Sequence, residues 1–95
     1  MYARVVRFTD VSSDRMAERV KAGEDRGGPP VDIPAKSVKI LHDDDQGTAV
    51  VIQFFDTAED MAAAEGPLDS MDPGETPGTR ASIDRCEVKL TFGEG

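Results

Sequence analysis

A chain of 95 residues is long enough for one domain with a modest core and too short for two. Nineteen acidic residues against eleven basic ones leave a formal charge of −8, which repels phosphate backbones and anionic lipid and so excludes nucleic acid and membrane surfaces as partners. Hydrophobic residues reach 38% and aromatics only 5%, so this core is expected to finish its burial in an oligomer.

Residues 2–9, YARVVRFT, predict a strand. Alternation puts Tyr2, Arg4, Val6 and Phe8 on one face and Ala3, Val5, Arg7 and Thr9 on the other. A helix follows, capped by Ser12, whose hydroxyl can accept from the free N–H groups of the first turn. Val11 before the cap and Met16 at the fourth helical position have the spacing of a hydrophobic staple, and Asp14 suits the positive helix end. Met16, Ala17 and Val20 make a narrow apolar stripe. The helix is expected to end between Gly23 and Gly28, with Pro29, Pro30 and Pro34 marking a loop.

Residues 35–42 and 48–56 predict two strands around a polar turn. A four-residue turn, Asp43 to Gln46, pairs His42 with Gly47 and sets Val38 and Ile40 on the face of Ala49 and Val51. Thr57 caps a second helix of strong helix formers from Ala58 to Glu65, and Gly66-Pro67 is expected to stop it. Glycines and prolines crowd residues 66–79 and predict a long loop, after which residues 81–90, ASIDRCEVKL, predict a closing strand.

The order β-α-β-β-α-β is that of the α+β, ferredoxin-like fold: four antiparallel strands with both helices on one face. It is read as a single domain over residues 1–92, with 93–95 a tail. The third strand is apolar on both sides. Ala49, Val51, Gln53 and Phe55 line one face, and Val50, Ile52 and Phe54 the other. Only one face can be covered by the chain's own helices, so Val50, Ile52 and Phe54 are candidates for a homodimer interface, sheet against sheet.

The stretch HDDDQG, residues 42–47, holds the only histidine beside three aspartates. A metal needs converging ligands, and neighbouring strand residues point to opposite sides. Asp and Gly are also the residues that hairpin loops use, with Gly47 free to take positive φ. The stretch reads as a turn, and no metal site or cofactor is expected. Cys86 alternates with Val88 and Leu90 and reads as a buried small hydrophobe; one cysteine forms no internal disulfide. No stretch looks like a signal peptide or membrane span, so a cytoplasmic location is expected.

MYARVVRF, LHDDDQGTAVVIQFFDTAEDMAAAE and CEVKL together resemble the dimeric α/β-barrel superfamily, and within it the antibiotic biosynthesis monooxygenase-like (ABM-like) domains. The resemblance implies two ferredoxin-like subunits packed sheet to sheet, each with a small-molecule pocket between its sheet and helices. It implies either a cofactor-free monooxygenase acting on a flat aromatic or quinol-like compound, or a non-catalytic dimer that binds a small aromatic ligand or another protein. Haem-degrading members carry Asn, Trp and His where this chain appears with Val6, Phe55 and no histidine in 57–71. Pocket-lining candidates are Arg4, Val6, Gln53 and Phe55. Phe55 could stack on a flat ligand, Gln53 could hold a polar atom of it, and Arg4 could orient an anionic or phenolate group. No nucleophile, acid or base is assigned.

Overall fold

The computed structural model describes residues 1–27, 34–69 and 77–93. Its elements are β1 (Tyr2–Thr9), α1 (Ser13–Arg26), β2 (Ser37–Asp43), β3 (Thr48–Phe55), α2 (Ala58–Asp69) and β4 (Thr79–Glu87). The loop expected after α1 lies outside the described residues over 28–33, and the loop expected before β4 does so over 70–76. The four strands form one antiparallel sheet in the order β2-β3-β1-β4. This is a ferredoxin-like α+β arrangement, with the first strand in the middle.

Side-chain chemistry sets the helix ends. The Ser12 hydroxyl accepts from Arg15 N–H at 3.1 Å, and Val11 and Met16 are both buried in one cluster, as the staple spacing predicts. Gly27 ends α1 in the left-handed region at φ 81°, its N–H donating to Gly23 C=O. The apolar stripe is narrower than expected, because Ala17 and Val20 are exposed and only Met16 is buried. Thr57 caps α2 through Asp60 N–H at 3.1 Å. Contrary to expectation, α2 runs through Gly66-Pro67 to Asp69. Proline removes one N–H bond to the carbonyl four residues back, and so near the helix end that single loss is tolerated.

The β2–β3 hairpin corrects one expectation and keeps another. Asp43 pairs with Thr48 and His42 with Ala49, so the pairing of His42 with Gly47 is not found. The turn is Asp44 to Gly47, with Gly47 N–H donating to Asp44 C=O at 3.3 Å and Gly47 at φ 66°. Asp43 sits just before it, and its carboxylate accepts from both the backbone and the side-chain amide of Gln46. These local bonds set the turn one residue later than the sequence suggested. The partner shift is two positions, so no side chain changes face: Val38 and Ile40 still lie beside Gln53 and Val51, and Lys39 is on the opposite face.

The hairpin tip is tied to the β1–α1 corner. Val11 N–H donates to Gly47 C=O at 2.9 Å, and the Ser13 hydroxyl donates to the Asp44 carboxylate. The start of β4 presses on the same corner. A Cβ at Gly78 would stand 2.4 Å from Thr9 O and 2.8 Å from Val11 Cγ2, so only glycine fits there. β4 begins at Thr79 opposite Thr9 and ends at Glu87 opposite Tyr2, earlier at both ends than the expected 81–90. A register shift between Arg7 and Phe8 marks a bulge in the pairing.

One face of the sheet carries two separate apolar clusters. Val6, Phe8, Val11, Met16 and Ala49 form the first, joined by Val51 and Ile83. Phe55 and Ala64 form the second, with Tyr2, Ala35 and Met61 packed on it. α1 contributes Met16 to the first cluster, and α2 contributes Met61 and Ala64 to the second.

Candidate functional site

The two clusters are divided by one polar row of the sheet. Arg4 on β1 pairs with Gln53 on β3 and with Arg85 on β4, and Gln53 pairs in turn with Val38 on β2. The rows on either side are apolar at their centre: Val51, Val6 and Ile83 on one side, Phe55 and Tyr2 on the other. Alternation therefore brings all four expected pocket residues to the face beneath the helices. Arg4 is 2% exposed, Gln53 7% and Phe55 0%, and Val6 is equally buried.

A buried guanidinium must keep its hydrogen bonds, because stripping its hydration costs several kcal/mol, of the order of any ion pair it could regain. Arg4 Nη1 donates to Gln53 Oε1 at 3.4 Å, near the outer limit for such a bond. Across the other strand boundary, Arg85 stands directly opposite Arg4, a like-charge pairing that disfavours the sheet unless it is compensated. The carboxylate of Glu65, brought in by α2, bonds Arg85 Nε. Arg85 and Glu65 were not singled out in the sequence. Their signal was the alternation Ile83, Arg85, Glu87, but its face could be assigned only with the β1–β4 register known.

HDDDQG forms the turn described above. His42 Nε2 lies 3.8 Å from the Asp44 carboxylate, which also takes the Ser13 hydroxyl. Among the described residues, no group of three or more His, Cys, Asp or Glu is arranged to hold a metal ion. His42→Ala should change unfolding free energy by no more than about 0.5 kcal/mol, as at ordinary surface positions, in urea denaturation. A larger loss would mean that the contact to Asp44 holds the hairpin on α1. Hydrogen bonds from the Gln46 side chain and backbone hold the Asp43 carboxyl below its usual range. A depressed carboxylate stabilises the fold above its unfolded pKa, near 4, and that contribution disappears as pH falls through the lower folded value. Titration of Asp43 by carboxyl NMR should therefore show a midpoint below 3.8, which Gln46→Ala moves upward.

Among the described residues, no helix lies on the opposite face of the sheet. Val50, Ile52 and Phe54 lie there half-buried, beside Val5 and the 51%-exposed Leu41. Cys86 shares this face opposite Ala3 and is exposed, not buried as the sequence suggested, because β4 is an edge strand and nothing lies over it among the described residues.

No family model, no curated protein and no solved structure matches the chain. Among the described residues, no helix is long and apolar enough to cross a membrane.

Proposed function

We propose that the chain is a small-molecule-binding protein of the ABM-like, dimeric α/β-barrel kind, taking a flat, apolar, oxygenated molecule between sheet and helices. The observation that carries this reading is the Arg4–Gln53 pair, buried in a polar row with an apolar cluster on each side. A core needs no such row for packing. A ligand with an aromatic body and one oxygen does: its rings replace cluster contacts, and its oxygen accepts from Arg4 in place of a long bond to Gln53.

Binding is favoured over turnover by the chemistry of the row. Arginine stays protonated and an amide does not titrate, so neither moves a proton at neutral pH. Glu65, the row's carboxylate neighbour, is engaged by Arg85. Two copies of the chain meet through the open faces that carry Val50, Ile52 and Phe54.

The test is titration with 1,4-dihydroxynaphthalene under argon, followed by NMR of the arginine Nε–H and glutamine side-chain signals. The Arg4 and Gln53 signals should move together and saturate. Shifts confined to residues of the hairpin tip would sink the reading. On admitting air, protein-dependent oxygen uptake above the quinol's own autoxidation, with one atom of labelled O2 in the product and the other in water, would extend the function to a cofactor-free monooxygenase.

A further inference from the structure

We infer that Glu65 occupies the place of a ligand carboxylate beside Arg85 and Arg4, and that a flat aromatic carboxylate enters from the β4 edge by exchanging with it. The inference deepens the binding reading above and rests on it.

Three observations point the same way. The first is the register, which sets Arg4 and Arg85 directly opposite each other on neighbouring strands. Side chains paired in this way stand about 5 Å apart at Cβ, close enough for two guanidiniums to reach one carboxylate. The second is a gradient of exposure along the row. The Arg85 side chain is 48% exposed, Glu65 is 29%, and Arg4 one strand further in is 2%. β4 is an edge strand, so the gradient runs from solvent into the sheet–helix interface. The third is the place of Glu65 on α2: it follows Ala64, the residue by which the helix packs on the fully buried Phe55.

The exchange keeps the chemistry balanced. One carboxylate leaves Arg85 for water, another takes its place, and no net charge is buried. A half-exposed ion pair is weakly held because water screens it, so an incoming anion can displace it. Guanidinium forks recognise a carboxylate through paired N–H groups, and an uncharged isostere of the ligand lacks the second acceptor and the charge. The carboxylate follows from the paired arginines, and the planar, apolar body is that of the binding reading above.

The experiment uses the full chain with two probes, 2-naphthoate and the neutral 2-naphthalenemethanol, measured by titration calorimetry. Glu65→Gln should bind 2-naphthoate at least tenfold more tightly than the wild type, with the alcohol changed less than twofold. Arg85→Gln should lose the preference for 2-naphthoate. Equal 2-naphthoate affinity in wild type and Glu65→Gln would overturn the exchange while leaving the pocket intact. No binding of either probe to any form would overturn the pocket reading and this inference together. In the wild type, the Arg85 Nε–H signal should move with 2-naphthoate and stay still with the alcohol. An unmoved signal at 2-naphthoate saturation also overturns the exchange, whether or not the Glu65 variant folds.

Discussion

Phe55→Ala should lower the unfolding free energy by about 3–5 kcal/mol, the range for deleting a buried aromatic side chain. Among the described residues, Phe55 is the one large side chain wholly excluded from solvent, and it anchors the second cluster with Ala64. Its ring is held between Met61 and Ala64 of α2 and the half-buried Tyr2 of the neighbouring strand. Truncation removes the transfer energy and leaves a void that Ala64, already minimal in size, cannot fill. Domains of this size are stable by about 5–15 kcal/mol, so the variant should stand near its folding threshold. Urea denaturation reads the effect. A loss under about 1 kcal/mol would mean that α2 can slide down onto the sheet and close the void.

Under the proposed sheet-to-sheet pairing, Ile52→Asp should convert the dimer to a monomer or prevent folding. Ile52 lies at the centre of the open face, with Val5 paired to it on β1 and Val50 and Phe54 two positions away on its own strand. Full burial of such a side chain stabilises by about 1.5–3 kcal/mol, and in one chain these residues are already half covered by their neighbours. The remaining gain is summed over both copies and must exceed the entropy lost on association. Lys39 stands directly opposite on β2 and can pair with the new carboxylate, but burying that ion pair at the centre of the seam costs several kcal/mol of desolvation per ion and forfeits the apolar contact. Sedimentation equilibrium should give a mass near twice 10.2 kDa for the wild type. A wild-type mass of 10.2 kDa at several hundred micromolar would defeat the pairing and remove the main structural prop of the ABM-like resemblance.

The elements legible in the sequence are those carried by local chemistry. Ser12 and Thr57 cap the helices because their hydroxyls reach N–H groups three residues on, a relation set by spacing alone. The face of Val38 and Ile40 was legible for a related reason: a period of two tolerates a turn misplaced by one residue at each end. Pro67 was misread because the rule that proline stops a helix applies to interiors, and here the helix ends two residues later. Cys86 was misread because alternation tells which residues share a face but not whether that face is covered. For the candidate site, Arg4 and Gln53 were visible from the alternation of their own strands. Their junction with Arg85 and Glu65 was not, since it depends on a pairing between distant strands and on the placement of α2.

The strand order has a consequence for how the chain acquires its structure. β1 lies in the middle of the sheet, and both its partners come late in the chain; its contact with β3 through Arg4 and Gln53 spans 49 positions. Among the described residues, the only strand pairing between sequence neighbours is the β2–β3 hairpin. Closing such long loops before any contact rewards them slows folding relative to a helical domain of equal size. During synthesis β1 emerges before β3 and β4, the two strands that it pairs with. It must wait for the hairpin, so the hairpin is the expected nucleus and β1 the strand that docks onto it. Substitutions in the Asp44–Gly47 turn should then slow refolding, whereas changes in β4 should act mainly on unfolding.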